Sequence, residues 1–146
     1  MLYKKLLVLS RACEDLTKQF PLRTPEREVC GILCGRIDEK SAIVTRIRPI
    51  PNRSHRAHDF SVSTSDYRRT CRAAAEANEE PLAFYHSHQG SVKPSLRDRD
   101  LPAITGIPAV IFTIEDGRIY LCCFTVSKTY EGIREIPCSV VRGCPP

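Results

Sequence analysis

Phe84-Tyr85-His86-Ser87-His88-Gln89-Gly90-Ser91-Val92-Lys93-Pro94-Ser95-Leu96-Arg97-Asp98 is the most informative stretch of this chain. Its apolar beginning predicts a strand over residues 81–88 that ends at the two histidines. Residues i and i+2 of a strand face the same way, about 7 Å apart. His86 and His88 should therefore present two imidazoles on one face, where two neutral rings can hold a divalent metal ion. Ser87 should point to the opposite face and is given no role.

A third metal ligand has to come from elsewhere in the chain, and Asp98 is close in sequence. The loop over residues 89–94 reverses the chain, and a short helix predicted over 95–100 can aim Asp98 back at the histidines. Two histidines and one carboxylate leave a fourth position open for water, which is typical of a catalytic zinc site. Asp100 is the substitute ligand, although it would lie on another face of the helix.

Each part of this pattern also has a purely structural interpretation. A His-x-His pair occurs on alternating surface strands, and Ser95 with Asp98 three residues later is a helix-capping pattern preceded by Pro94. Ser95 on this interpretation only caps the helix. The two interpretations are compatible, because a capped helix is a rigid platform for a metal ligand.

The rest of the chain predicts an α/β (α+β) fold with a mixed sheet. Ser10 and Ser63 are predicted to cap the two longer helices, the second through Asp66. Asp116-Gly117 predicts a tight hairpin turn, and a polar turn is predicted over 36–40. Further strands are predicted over 2–10, 28–35, 42–50, 59–63, 109–114, 118–126 and 133–141, and helices over 11–20 and 64–78.

Length and composition limit the class of protein. The chain has 146 residues, 42% hydrophobic and 27% charged, which predicts one soluble domain over residues 1–146. The net charge of +5 is spread over many arginines and does not indicate a nucleic-acid partner. The apolar run Leu6–Leu9 is too short for a signal peptide or a membrane span. A cytoplasmic location without a membrane partner is expected; the oligomeric state is left open.

Eight cysteines raise the alternatives of a disulfide scaffold or a thiolate zinc site. Cys30, Cys34, Cys122 and Cys123 lie in apolar runs, where cysteine behaves as a small hydrophobic residue. There is no Cys-x-x-Cys pair, and Cys30 with Cys34 would need two more ligands. Reduced thiols in the core are therefore the preferred interpretation, and Cys144 beside the terminal prolines is expected to be exposed.

His-x-His, a loop and Ser-x-x-Asp, with Glu28 before an apolar glycine-containing strand, together resemble the JAMM (MPN+) motif of the JAB-domain zinc metalloproteases. The resemblance covers roughly Pro25 to Phe124 and follows the order of elements of the small prokaryotic members. It implies a curved mixed β-sheet flanked by helices, the cytidine-deaminase-like MPN fold. It also implies that zinc (Zn2+) is bound by His86, His88 and Asp98, with Glu28 as general acid and base and Ser95 stabilising the oxyanion.

The same resemblance implies the substrate. Small prokaryotic members cut (iso)peptide bonds after the C-terminal Gly-Gly tail of ubiquitin-like or sulfur-carrier β-grasp proteins.

The chain departs from the family in a loop before Ser95 that is one residue shorter than usual, and in Gln89, where many members have proline. The alternatives are a non-catalytic MPN-type interaction scaffold and a DNA-repair relative, although the latter usually carries an extra helical segment. Arginine-rich stretches, residues 46–56 and 68–72, either dock an acidic partner or are solvated faces.

Overall fold

The computed structural model describes residues 3–21, 27–127 and 132–142, and these form a mixed sheet flanked by helices. The predicted α/β (α+β) class is therefore confirmed. The elements are β1 (Lys5–Leu9), α1 (Ser10–Gln19), β2 (Cys30–Asp38), β3 (Ser41–Ile50), α2 (Thr64–Glu76), β4 (Glu80–Ser87), a 3₁₀ turn (Asp98–Asp100), α3 (Leu101–Thr105), β5 (Ala109–Glu115), β6 (Arg118–Val126), β7 (Ile133–Ile136) and β8 (Cys138–Val141). Among the described residues, none of the helices is long and apolar enough to cross a membrane.

The strands form one eight-stranded sheet in the order β7-β6-β5-β4-β2-β3-β1-β8. β1 pairs in parallel with β3 and β8, and β4 pairs in parallel with β5. The other neighbours are antiparallel, including the β2–β3 and β5–β6 hairpins. β4 thus lies inside the sheet, which explains why its second half is a continuous buried run.

The sheet is strongly curved, because its two edge strands are nearly consecutive in the chain. The single strand predicted over 133–141 is wrong: β7 and β8 lie on opposite edges and only Pro137 separates them. Neighbouring Cα atoms are about 3.8 Å apart, so the two edges must come close together. Proline has no N–H to donate to a ladder, while its carbonyl accepts a hydrogen bond from the Leu6 amide at 2.8 Å.

Apolar clusters cover both faces of the sheet. One packs against α1 and the other against α2, and the successive residues Tyr85 and Phe84 of β4 belong to the first and second respectively. Cys30, Cys34 and Cys123 are buried in these clusters, as predicted. Cys122 is only partly buried, and Cys144 lies outside the described residues.

The two predicted helix caps have different outcomes. The Ser63 hydroxyl accepts a hydrogen bond from the Asp66 amide at 3.1 Å, so this cap is confirmed. The cap predicted for Ser10 is wrong, since α1 begins at Ser10 itself with Leu9 at the N-cap position and no side-chain cap. Because β1 leads directly into α1, the serine falls inside the first turn.

Other differences concern element boundaries near the loops. The strand predicted over 59–63 is wrong, because these residues belong to a loop that is held by side-chain hydrogen bonds. Of the helix predicted over 95–100, only Asp98–Asp100 is helical, as a 3₁₀ turn that leads into α3. The hairpin turn is confirmed, with positive φ at both Asp116 (51°) and Gly117 (74°).

Gly31, in the centre of the sheet, generates a prediction about stability. A Cβ at this position would lie 2.4 Å from the Arg48 carbonyl oxygen and 2.6 Å from the Tyr85 hydroxyl. We expect Gly31→Ala to lower the free energy of unfolding by roughly 1–3 kcal/mol, because the backbone has to shift to relieve the overlap. Urea denaturation measures this, with Arg72→Ala on the exposed part of α2 as control. Equal stability of the two variants would contradict the close packing described here.

Candidate metal centre

Two imidazoles meet at the end of β4. His86 is the penultimate residue of this strand and is fully buried, while His88 follows the strand and is partly exposed. Their Nε2 atoms are 3.1 Å apart, and the ring centroids are 4.9 Å apart. The predicted placement of both rings on one face is what the structure shows.

The carboxylate of Asp98 contacts both rings. Its Oδ1 lies 3.2 Å from His86 Nε2, and its Oδ2 lies 3.1 Å from His88 Nε2. Asp98 is buried, whereas Asp100 is exposed. Of the two acids considered from the sequence, the structure therefore brings Asp98 to the histidines.

A reciprocal pair of hydrogen bonds fixes Asp98 in this position. The Asp98 amide donates to the Ser95 hydroxyl oxygen at 3.1 Å, and the Ser95 amide donates to Asp98 Oδ2 at 2.9 Å. This is the capping-box arrangement that the Ser-x-x-Asp spacing predicts. The same carboxylate therefore caps the turn and contacts the histidines. Oδ1 faces His86, and Oδ2 faces both His88 and the Ser95 amide.

Glu28 completes the group from the segment just before β2. Its Oε1 lies 3.6 Å from His88 Nε2 and 3.9 Å from His86 Nε2. Ligand atoms of Glu28, His86 and His88 all lie within 4.8 Å of one another. Elsewhere in the described part of the chain no three such ligand atoms approach this closely, so no cysteine site of that kind is formed there.

Hydrogen bonds from the two rings to Asp98 leave the imidazoles in conflict with each other. If each Nε2 donates its one proton to an Asp98 oxygen, at 3.2 and 3.1 Å, two protonated nitrogens face each other at 3.1 Å with no acceptor between them. A single cation bound by both nitrogens and the carboxylate would remove this conflict. Two nitrogens bound tetrahedrally at 2.0–2.1 Å are about 3.3 Å apart, close to the 3.1 Å seen here. The donor set therefore fits a divalent metal ion.

Burial and neighbouring groups shift the pKa values in this cluster. Burial raises the pKa of Glu28 to about 7; His88 opposes this rise and Asp98 adds to it. Burial lowers the pKa of His86. Burial would raise the pKa of Asp98, but hydrogen bonds from His86 and His88 hold it well below its usual range. A neutral imidazole and an ionised carboxylate are the forms that bind metals.

For His88, burial acts in the opposite direction to its neighbours. Burial lowers its pKa, but the hydrogen bond and charge of Asp98, together with Glu28, raise it overall. The partly exposed ring is thus the one that holds a proton more readily when no cation is bound. A bound cation competes with that proton, which couples metal binding to proton release.

Sequence reasoning gave Ser87 no role, and the structure assigns it one in holding the backbone. Its hydroxyl oxygen accepts a hydrogen bond from the Val29 amide at 3.0 Å, and its own amide donates to the Val29 carbonyl at 2.9 Å. These bonds attach the residue after Glu28 to the end of β4. The only hint of this role in the sequence is the small hydroxyl side chain of Ser87 between the two histidines.

Asn52 and Phe60 were also missed as parts of the site. The Asn52 side chain donates to the Glu28 carbonyl at 2.8 Å. The Phe60 ring lies against His86 with a centroid distance of 4.7 Å. The resemblance to the family includes this asparagine-containing loop, but no local pattern indicates that Asn52 and Phe60 contact Glu28 and His86.

A cavity of about 280 Å³ opens onto this cluster from the surface. His88, Asp98, Glu28 and Ser95 all line it, and Arg27 and Arg97 are also among its lining residues. His88, Asp98 and Glu28 can therefore be reached from the surface, whereas His86 is fully buried beneath them.

Comparisons with known proteins place this geometry in a family. Residues 14–123 match the family model for prokaryotic homologs of the JAB domain. The solution structure of protein DSY2949 from Desulfitobacterium hafniense is similar, with a TM-score of 0.76, 19% identity and 94% of each chain covered. A protein from Salinibacter ruber (strain DSM 13855) has a TM-score of 0.57, 23% identity and 90% coverage of each chain.

At these identities the two solved structures show a shared fold alone, and no curated protein matches the sequence. The family match is broader evidence, because it covers most of the chain and includes Glu28, both histidines and Asp98. The chain belongs to the prokaryotic homologs of the JAB domain.

Proposed function

We propose that this protein is a zinc-dependent metallopeptidase or isopeptidase. It hydrolyses the (iso)peptide bond that follows the C-terminal tail of a ubiquitin-like or sulfur-carrier β-grasp protein. The observation that carries the proposal is the convergence of two imidazoles and the Asp98 carboxylate, 3.1–3.2 Å apart, beside Glu28. A non-catalytic MPN scaffold would need none of these side chains to converge.

In this proposal His86, His88 and Asp98 hold the zinc ion and Glu28 does not. Two imidazoles and a carboxylate also suit iron or manganese, and zinc is favoured because the reaction is hydrolysis without redox chemistry. Zinc supplies a Lewis acid that polarises the scissile carbonyl and makes water acidic enough to attack it at neutral pH. The curved sheet that carries these ligands supports the cytidine-deaminase-like MPN affiliation.

Glu28 moves the proton. Its carboxylate lies 3.6 Å from His88 Nε2 and lines the cavity, so it faces the position where water and the leaving amine meet the metal ligands. It accepts a proton from the attacking water as general base and then delivers it to the leaving amine as general acid. Burial favours this exchange, because it brings the two protonation states of the carboxyl closer in free energy.

Ser95 can both cap the turn and stabilise the oxyanion. Its hydroxyl oxygen accepts a hydrogen bond from the Asp98 amide at 3.1 Å, and the hydroxyl proton is a donor in addition to the acceptor lone pairs. That proton is available for the carbonyl oxygen that becomes negative during attack. Ser95 lines the cavity beside the metal ligands, as this role requires.

A glycine tail suits the cavity. Glycine has no side chain, so the substrate backbone can approach buried ligand atoms closely, and the cavity of about 280 Å³ opens beside those atoms.

The cysteines among the described residues are all free thiols. This supports a reducing, cytoplasmic compartment as the place of action.

The first prediction from this proposal concerns metal content. Wild-type protein should contain one zinc per chain, and the double variant His86→Ala/His88→Ala should contain almost none, because two of three ligands are lost. Elemental analysis of the purified proteins measures this. His55→Ala, which removes an exposed histidine outside the cluster, should keep its zinc. Equal zinc in the double variant and the wild type would exclude this ligand set.

The second prediction separates proton transfer from metal binding. Glu28→Ala should retain one zinc per chain but lose cleavage of a β-grasp–Gly-Gly–peptide fusion, since the general base is absent. Glu76→Ala on the exposed side of α2 is the control and should cleave normally. Cleavage by Glu28→Ala at the wild-type rate would remove Glu28 from the mechanism. A wild-type protein that binds zinc but cleaves no such fusion would favour the scaffold.

The third prediction tests Ser95. Ser95→Ala should lower kcat by about 10²–10³, the usual effect of removing one oxyanion donor, while zinc stays bound. Ser95→Thr keeps a hydroxyl at the same position and should recover most of the rate. If Ser95→Ala keeps the wild-type kcat, the residue acts only as a cap.

A further inference from the structure

The Asn52 side chain uses its entire hydrogen-bonding capacity, with three bonds inside its own loop and one to Glu28. Its Nδ2 donates to the Glu28 carbonyl at 2.8 Å and to the Asp59 carbonyl at 3.0 Å. Its Oδ1 accepts from the amides of Ser54 at 2.9 Å and Ser61 at 3.0 Å. A primary amide offers two donors and two acceptor lone pairs. Aspartate has no donor for the two carbonyls, and glutamine is one methylene longer.

The hydrogen bond from Asn52 to the Glu28 carbonyl holds a segment that is no longer paired in the sheet. The β2–β4 ladder begins at the pair Cys30–His86, so Glu28 lies two residues beyond its end. Ser87 holds Val29 on the β4 side. Asn52 supplies the matching contact on the side of β3, which ends two residues earlier. The backbone that carries the Glu28 carboxylate is thus held from both neighbouring strands.

The bonds at the far end of the loop hold Phe60. The Asp59 carbonyl and the Ser61 amide flank it, and its ring lies 4.7 Å from the His86 ring at an interplanar angle of 35°. Metal-binding histidines usually orient through a hydrogen bond at the other ring nitrogen. Nδ1 of His86 is buried and has no such partner in the described part of the chain. The contact with Phe60 therefore orients this ring.

The same loop reaches the segment that carries the third ligand. The Asp59 carboxylate pairs with Arg97, the residue before Asp98, and also accepts a hydrogen bond from the Ser54 hydroxyl at 3.2 Å. The loop over residues 52–61 thereby contacts the segments of Glu28, His86 and Asp98. Asn52 closes this loop together with a backbone hydrogen bond from the Arg53 amide to the Ser61 carbonyl at 2.8 Å.

We propose that Asn52 is a positioning residue for the metal centre: it holds the backbone of Glu28 directly and orients the His86 ring through Phe60. The kinetic part of this inference rests on the proposed function. A residue that only closes a surface loop would affect stability, whereas a positioning residue also affects kcat and the state of the His86 ring.

The experiment compares Asn52→Ala and Asn52→Asp with Tyr3→Phe. Tyr3→Phe removes a buried hydrogen bond to the Leu82 carbonyl (2.7 Å) on the α1 face of the sheet and controls for lost stability. Asn52→Ala should keep one zinc per chain, with kcat lower by about 10–100-fold, the usual effect of losing an outer contact of a metal centre, and KM within about twofold. Tyr3→Phe should keep the wild-type kcat.

Asn52→Asp keeps the two acceptor contacts that close the loop and loses both donors. Its second carboxylate oxygen faces the carbonyl oxygens of Glu28 and Asp59, so its kcat should fall at least as far as that of Asn52→Ala. Loss of stability with a wild-type kcat in Asn52→Asp would reduce Asn52 to a structural residue and overturn the proposal.

A second measurement does not depend on activity. In the zinc-loaded protein, the imidazole NMR resonances of His86 should shift in Asn52→Asp and stay in place in Tyr3→Phe. Unmoved His86 resonances in Asn52→Asp would overturn the positioning role. If the wild type cleaves no β-grasp fusion, the proposed function fails, while this measurement still decides whether Asn52 sets the metal centre.

Discussion

The close approach of two imidazole nitrogens and one carboxylate is the constraint on which the rest of the site depends. The three ligand-atom separations among His86, His88 and Asp98 are 3.1, 3.1 and 3.2 Å. Such a cluster is costly to bury unless a cation or a complete set of hydrogen bonds compensates it. If both nitrogens donate to Asp98, two protonated nitrogens face each other at 3.1 Å. A shared divalent ion would remove this conflict.

The fold provides the positions in a simple way. β4 lies inside the sheet and ends at the histidines, of which His88 lines the cavity. Its partner β2 begins opposite His86 and so leaves Glu28 just outside the ladder. The chain returns after the loop over residues 89–94, and the Ser95–Asp98 capping box fixes the third ligand. The ligands and Glu28 thus come from a strand end, a strand start and a capped turn, all of which are held by backbone geometry rather than by long flexible side chains.

Local spacing made the histidines, Ser95 and Asp98 predictable from the sequence, whereas Glu28 was predicted from the resemblance to the JAMM motif. The i, i+2 spacing of the histidines and the i, i+3 spacing of Ser95 and Asp98 each specify geometry over a few residues, and both are found in the structure. Long-range contacts were not predictable in this way. Pro137 divides one apparent strand between two distant edges of the sheet because the curvature of all eight strands brings those edges together. Asn52 and Phe60 act on residues that are far from them in the chain, and no periodicity in a single sequence marks them.

The proposed zinc site is tested most directly by the anomalous difference map of a crystal of the zinc-loaded protein, recorded on both sides of the zinc absorption edge. One peak is expected within about 2.0–2.2 Å of His86 Nε2, His88 Nε2 and an Asp98 carboxylate oxygen, with the Glu28 carboxylate beyond bonding distance. A map without a peak at this position, or with a peak whose ligands exclude Asp98, would contradict it.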